Sequence, residues 1–193
     1  MKSRKVLYFD VETTGLDARL NDIIQFAGLV EIDGKIEEEI HFLAKPTNFE
    51  TISQEALDKN KRSLEELTSF PSASAGYLYL KSRLGFYVNK YSREDKFIPC
   101  GYNVNFDIDF LNQFFLKQTP KDKYLFSWIF SAPIDVRTFV GELVKVGYRF
   151  KNHTLETMCK FLQIPIDAHD ALSDIRATRE LYLSLRGILG GVK

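Results

Sequence analysis

The stretch YFDVETTGLD, residues 8–17, carries an apolar strand directly into two closely spaced carboxylates. Residues 6–11 form a short apolar run, which predicts a buried strand. Asp10 and Glu12 are two residues apart, so their side chains lie on the same face of that strand. Because like charges this close repel each other, the pair favours a bound Mg²⁺ or Mn²⁺, and both ions prefer hard oxygen ligands. The alternative is a strand end that reaches solvent, where both carboxylates are hydrated.

The residues after this pair predict a small pocket for a phosphate or a sugar. Thr13 and Thr14 offer amide and hydroxyl donors beside the candidate metal ligands. Gly15 permits a tight backbone turn there. These three residues favour the metal-site interpretation over a simply hydrated strand end.

A second acidic motif is CGYNVNFDIDFL, residues 100–111. Asp107 follows Phe106 in the first turn of a predicted helix, where an acid also stabilises the helix dipole. Asp109 is a competing candidate. We prefer Asp107 because it comes directly after a strand-to-helix turn, where sites form in sheets of this kind.

The third motif is DAHDALSDIRATRELY, residues 167–182, in which His169 precedes Asp174 by five residues. The chain has three histidines, and only His169 lies in a polar loop that leads into a helix with an acid on its first turn. Such a histidine titrates near neutrality, which suits a general base. A purely structural or exposed histidine is the alternative.

The order of the predicted elements indicates one α/β domain over residues 1–193, with a core at about residues 5–185. Strands are predicted at 6–11, 23–32, 35–43, 97–102 and 132–136, with a hairpin turn at Asp33-Gly34. Helices are predicted near a capping box at Ser63 and Glu66, and at 77–91, 106–117, 137–146, 155–162 and 171–185. This order predicts a mixed sheet of about five strands with helices on its faces.

Composition argues against several other classes of protein. Lys plus Arg and Asp plus Glu are both 26, and this balance argues against extended binding to duplex phosphates. The basic clusters KNKR (59–62) and KVGYRFK (145–151) are interpreted as solvated faces. Cys100 and Cys159 form no C-x-x-C motif and indicate reduced thiols in a cytoplasmic protein. We expect neither a signal peptide nor a membrane span, since Asp10 interrupts the first apolar run and no run approaches about 18 residues.

Together the three motifs resemble those of the DEDDh 3′–5′ exonuclease family, the DnaQ-like branch of the ribonuclease H-like fold. FDVETTGL is similar to the first motif of that family, GYNVNFDIDFL to the second and HDALSDIRAT to the third. The positions that match are Asp10, Glu12, Asp107, His169 and Asp174. The chain departs from the family at Tyr102, where many members have His before the Asn, and this bears on packing or substrate contact.

The resemblance implies a ribonuclease H-like sheet, with three antiparallel strands followed by parallel ones. It also implies two divalent ions, Mg²⁺ or Mn²⁺, and hydrolysis of single-stranded DNA or RNA from the 3′ end to nucleoside 5′-monophosphates. Asp10 would contact both ions, and Glu12 and Asp174 would complete the ligands of the ion beside the attacking water. Asp107 would hold the second ion, and His169 would accept the proton of the water.

The same resemblance suggests how the terminal nucleotide is held. Amides around Thr13, Thr14, Gly15 and Leu16 would bind the 3′-hydroxyl, and Leu16 would wedge against the last base. Phe106 is equally a stacking residue and a core residue, and Asn103 braces the turn more than it contacts substrate. Stacking tolerates any base, so low sequence preference is expected.

Two other functions are alternatives to an exonuclease. A haloacid dehalogenase-type phosphatase would need Asp where Glu12 stands, and no matching lysine motif is evident. A nucleic-acid-binding module with a decayed site would not be expected to keep all five matching residues. The choice between DNA and RNA, the pathway, homodimer formation and association with a polymerase all stay open at this stage.

Overall fold

The computed structural model describes residues 3–119, 125–167 and 170–191, and its centre is a five-stranded sheet. The strands are β1 (Lys5–Thr13), β2 (Ile23–Ile32), β3 (Lys35–Leu43), β4 (Ile98–Gly101) and β5 (Ile134–Asp135). Their order in the sheet is β3-β2-β1-β4-β5. The first three strands pair antiparallel, whereas β4 is parallel to β1 and β5 is parallel to β4. The predicted mixed sheet is therefore confirmed.

The first hairpin forms because its turn tolerates a left-handed backbone. Asp33 and Gly34 have φ values of 51° and 90°, as a two-residue hairpin turn of this type requires. The turn joins β2 to β3 and places Ile32 opposite Lys35. In the neighbouring pairing of β1 with β2, Glu12 lies opposite Gln25 and Asp10 lies opposite Ala27. The bounds predicted for β2 and β3 are those that the structure shows.

Helices cover both faces of the sheet among the described residues. They are α1 (Gln54–Asn60), α2 (Leu64–Ser69), α3 (Ala73–Tyr87), α4 (Val104–Gln118), α5 (Val136–Lys145), α6 (Leu155–Leu162) and α7 (Ala171–Gly191), with a short 3₁₀ helix at Leu125–Ser127. One core cluster joins Leu7, Phe9 and Val11 of β1 to α3 and α4. The other joins Val6 and Tyr8 to α5, α6 and α7.

The strand β1 is thus buried on both sides, and its alternation sets the orientation of the acids. Asp10 and Glu12 continue the series of Val6 and Tyr8, so they lie on the face covered by α7. On the opposite face of the sheet, the contact between helix α3 and strand β3 leaves no room for additional side-chain atoms. A Cβ added to Gly76 of α3 would lie 2.6 Å from a ring carbon of Phe42.

Three helices differ from the sequence-based expectation. The helix predicted at 77–91 is α3, which begins and ends four residues earlier. Ser72 sets the start, because its side chain accepts the N–H of Ala75 at 3.2 Å, and Val88 and Tyr91 lie beyond the helix. The last helix continues to Gly191, past the predicted end at 185. α1 was not predicted at all, although the Ser63 cap of α2 is confirmed by a 3.1 Å bond from the N–H of Glu66.

Among the described residues, no helix combines the length and the apolar character that crossing a membrane requires. Cys100 and Cys159 are both buried and unbridged.

Candidate active site

Three carboxylates from two elements meet at one end of the sheet. Asp10 and Glu12 come from β1, and Asp174 comes from the first turn of α7, which packs on the same face. One ligand atom from each residue lies within 4.8 Å of the others, so the three can reach a single ion. The prediction that Asp10 and Glu12 share a face is confirmed by this geometry.

Asp107 lines the same cavity from α4, on the other side of the sheet, but it does not belong to the group of three whose ligand atoms lie within 4.8 Å of one another. It lies in the first turn of α4, is buried, and accepts the backbone N–H of Val11 through Oδ1 at 3.1 Å. One carboxylate oxygen is therefore engaged with β1, although a carboxylate has a second oxygen for other partners. Asp109 is exposed and lines a neighbouring cavity instead. Of these two acids, only Asp107 lines the cavity that contains Asp10, Glu12 and Asp174.

Burial and mutual repulsion disfavour the ionised forms of these acids. Burial, then the charges of Asp107, Glu12 and Asp174, raise the pKa of Asp10 well above its usual range. Burial, followed by the charge of Asp174, raises the pKa of Glu12 to about 7. Burial also raises the pKa of Asp107, and the N–H of Val11 opposes that shift. A divalent cation would offset these shifts, because its charge stabilises the ionised carboxylates, so the donor set fits hard metal ions.

The acids line one cavity of about 320 Å³. Its walls come from the end of β1, the last turn of α1, the start of α4, the start of α6 and the first turn of α7. Ligand pockets commonly begin at about 300 Å³, so the cavity can take one small ligand unit. Glu156 of α6 adds a fifth acid to the lining, and Lys59 of α1 adds a cation.

The turn after β1 is stabilised by hydrogen bonds of its own threonine side chains. The hydroxyl of Thr13 donates to the carbonyl of Gly15 at 2.7 Å, and the hydroxyl of Thr14 accepts the N–H of Asp22 at 2.9 Å. Both hydroxyls are thus occupied inside the turn. Gly15 is needed because a Cβ there would lie 2.4 Å from the side chain of Asn21. Leu16 is 84% exposed.

The start of α4 forms another wall of the cavity. Asn103 has φ 63°, its backbone N–H donates to Oδ1 of Asp135 at 2.9 Å, and the residue lines the cavity. Phe106 is half-buried, packs on Phe110 at 4.7 Å between ring centroids, and lies between this cavity and a second one lined by Leu16. The hydroxyl of Tyr102 donates to the carbonyl of His153 at 2.7 Å, which ties the turn before α4 to the segment before α6.

His169 lies outside the described residues, so its predicted position is not tested by the geometry. Its neighbour Asp170 is described and caps α7, since Oδ1 accepts the N–H of Ser173 at 2.9 Å. Oδ2 of Asp170 accepts a hydrogen bond from Gln25 of β2 at 3.2 Å. The beginning of α7 is therefore anchored to the sheet one residue after His169.

Sequence reasoning missed three residues at this site. Gln25 and Asp170 are joined by a hydrogen bond between distant parts of the chain, which no local sequence pattern reveals. Asp170 alone could have been recognised as an N-cap, because it precedes an apolar helix. Lys59 was placed in a solvated basic cluster, whereas it lines the acidic cavity. No local sequence pattern indicates that Lys59 lies at the cavity, because the position of α1 depends on contacts with distant parts of the chain.

Fold and site together define a class, a ribonuclease H-like sheet with a cluster of acids at the end of β1 and at the starts of α4 and α7. A family model described as Exonuclease matches residues 7–182. A DNA polymerase III PolC-type of Thermotoga petrophila is 31% identical over 184 residues, 90% of this chain and 11% of that relative. The PolC-type polymerase of Bacillus subtilis is 26% identical over 186 residues, 96% of this chain and 12% of the relative. The chain thus spans about a tenth of the length of these relatives.

Solved structures agree on the fold. A zinc-bound complex of Escherichia coli exonuclease I with single-stranded DNA aligns at a TM-score of 0.77 and 20% identity, over 98% of this chain and 42% of that one. Exonuclease I of Methylocaldum szegediense aligns at 0.72 and 18% identity, over 97% of this chain and 41% of that one. The chain belongs to the exonuclease family, in its DEDDh, DnaQ-like 3′–5′ branch.

Proposed function

We propose that this chain hydrolyses the terminal phosphodiester bond at the 3′ end of single-stranded DNA or RNA and releases nucleoside 5′-monophosphates. The observation that carries the proposal is the group of four acids around one cavity, Asp10, Glu12, Asp107 and Asp174, of which Glu12 and Asp107 are buried. The raised pKa values of Asp10, Glu12 and Asp107 indicate that ionising these acids without a cation is unfavourable. Residues kept together at such a cost are typical of a functional site.

Two divalent ions, Mg²⁺ or Mn²⁺, fit this donor set. Asp10, Glu12 and Asp174 would hold one ion, because their oxygens already lie within reach of a common centre. Asp10 and Asp107 would hold the other, with Oδ1 of Asp107 kept in place by Val11. When bound, such ions supply charge neutralisation and Lewis-acid polarisation of a phosphate. The protein contributes a cavity whose walls fix the positions of these acids.

The remaining chemical role falls to His169. A neutral imidazole would take a proton from the attacking water as the bond from phosphorus to the leaving 3′-oxygen breaks. The leaving oxygen gains a proton and stays on the shortened chain, and the phosphate stays on the released nucleotide. Asp170 and Gln25 would fix the start of the helix next to this base. They act as positioning residues and do not touch the substrate.

The terminal nucleotide would be held at the edge between the two cavities. The ring of Phe106 borders both, so it would stack on the last base from the side of α4. Leu16 is exposed in the second cavity, where it would separate the last base from the one before it. The backbone amides of Thr13, Thr14, Gly15 and Leu16 remain our candidates for the 3′-hydroxyl, because the hydroxyls of both threonines are engaged. Asn103, the residue directly before α4, would stabilise the start of that helix.

The relatives suggest a substrate and a partner for this activity. The PolC-type relatives are DNA polymerases, and an exonuclease I structure contains single-stranded DNA. We therefore place single-stranded DNA first among substrates and polymerase association first among partners, ahead of a homodimer. The buried free thiols of Cys100 and Cys159 fit a reducing compartment, and we propose the cytoplasm.

A degradation assay tests the proposal directly. Labelled single-stranded DNA, single-stranded RNA and duplexes with each kind of 3′ end are incubated with Mg²⁺, Mn²⁺ or excess chelator. We expect stepwise shortening from the 3′ end that needs metal and yields nucleoside 5′-monophosphates. Asp107→Asn should abolish it, whereas Asp109→Asn, two residues along the same helix, should retain it. Binding of single strands with no metal-stimulated hydrolysis would favour the decayed-module alternative.

A further inference from the structure

Lys59 is a cation inside an acidic cavity. It lies in the last turn of α1, and its side chain lines the same cavity as Asp10, Glu12 and Asp174. Among the described residues that line this cavity, no other carries a positive charge. The described part of the chain gives Lys59 no hydrogen bond or ion pair, whereas the nearby Arg62 is paired with Glu66. Its ammonium group is therefore available to a ligand.

The position of Lys59 is fixed because α1 is attached to the end of β1 at both of its own ends. Nδ2 of Asn60 donates to the carbonyl of Thr13 at 2.9 Å, and the N–H of Ser53 donates to the carbonyl of Thr14 at 2.8 Å. Leu57 is buried against the sheet between them. A lysine in a last helical turn also favours the helix dipole, but that does not explain why it faces the acids.

The charge of the cavity explains what Lys59 can do. Five acids line it, and two divalent ions would offset four of their negative charges. A phosphodiester would then enter a cavity that still repels anions, unless another cation were present. The charge of Lys59 already acts on Asp10 and Glu12, where it opposes the rise in both pKa values. Lysine presents a mobile point charge with three donors, which suits a phosphate oxygen.

We propose that Lys59 binds a non-bridging phosphate oxygen of the terminal nucleotide and retains contact with the 5′-phosphate of the released product. This inference rests on the proposed exonuclease function and deepens it. A released monophosphate carries more negative charge than the diester, so Lys59 should bind product at least as tightly as substrate. The contact makes phosphate recognition partly independent of the metal ions.

The test compares a ligand that has the phosphate with one that lacks it. Calorimetry in Mg²⁺ measures the binding of a nucleoside 5′-monophosphate and of the matching nucleoside to wild type, Lys59→Met and Lys59→Arg. Lys61→Met is the matched control, since Lys61 is exposed two residues away and does not line the cavity. We expect Lys59→Met to weaken monophosphate binding about 10–100-fold, as for loss of a charge-assisted hydrogen bond, with nucleoside binding unchanged. Lys59→Arg should recover most of the affinity, and the control should match wild type.

A kinetic measurement separates this inference from the function on which it rests. With single-stranded oligonucleotides, Lys59→Met should raise KM more than it lowers kcat, and it should relieve product inhibition. Wild-type cleavage combined with a Lys59→Met variant that behaves like the control would overturn only the role of Lys59. Equal weakening of monophosphate and nucleoside, or a changed Mn²⁺ affinity with unchanged monophosphate binding, would also overturn it. A wild type that neither cleaves strands nor binds monophosphate would remove the proposed function as well.

Discussion

Raising the pH of the metal-free protein is expected to destabilise it, because the acids of the site are held close together in the folded state. Glu12 is buried, and its pKa is raised from 4.5 to about 7. A carboxyl with a raised folded-state pKa binds its proton more tightly when folded. The free energy of unfolding therefore falls as pH rises from the unfolded to the folded pKa. The shift corresponds to roughly 3 kcal/mol lost between about pH 4.5 and about pH 7.

Asp10 and Asp107 act in the same direction, since their pKa values are also raised. A bound divalent cation should reverse the effect, because it binds the ionised carboxylates of the folded state and competes with protons there. The stabilisation that saturating Mg²⁺ or Mn²⁺ gives should thus grow as pH rises through about 7.

Urea unfolding at a series of pH values, with chelator or with saturating metal, measures both effects. Glu12→Gln is the direct variant, since it keeps the shape of the side chain and removes its charge. This variant should flatten the pH dependence of the metal-free protein and weaken the response to metal. A metal-free protein that becomes more stable as pH rises through this window would contradict the reasoning, as would a metal effect that is independent of pH.

Three further predictions follow from the site and from the core. Asp174→Ala should leave the circular dichroism spectrum unchanged and abolish metal-dependent cleavage, and wild-type turnover in excess chelator would refute the two-ion mechanism. His169→Ala should lower the rate by about 10²–10⁴-fold with Mn²⁺ binding retained, and an unchanged pH–rate profile would exclude it as the base. Gly76→Ala should destabilise the fold by about 1–3 kcal/mol in urea titrations, because its methyl would overlap the ring of Phe42. Gly141→Ala, in helix α5 with open space around it, is the control and should stabilise by up to about 1 kcal/mol.

The sheet and its acids could be predicted because their signals are local. A two-residue hairpin turn at Asp33-Gly34 fixes the pairing of its strands, and period-two alternation fixes the common face of Asp10 and Glu12. Asp107 could be preferred to Asp109 because the end of a strand and the start of a helix are both visible in the sequence. These patterns depend on neighbours within a few residues.

The parts that could not be predicted depend on contacts between distant segments. Helix α1 has seven residues, too few to be stable alone, and it is held by the bond from Asn60 to Thr13. Because α1 could not be predicted, nothing in the local sequence indicates that Lys59 lines the cavity. The basic cluster that contains Lys59 is therefore interpreted as an ordinary charged surface. The hydrogen bond between Gln25 and Asp170 spans 145 positions and leaves no periodic pattern in the sequence.

Anomalous diffraction from crystals soaked in Mn²⁺ tests the central claim most directly, because it locates the ions without relying on turnover. We expect two manganese peaks in the cavity, one contacting Asp10, Glu12 and Asp174 and the other contacting Asp10 and Asp107. Crystals of Asp174→Ala should lose the first peak. A wild-type map with no manganese among these four side chains would contradict the account.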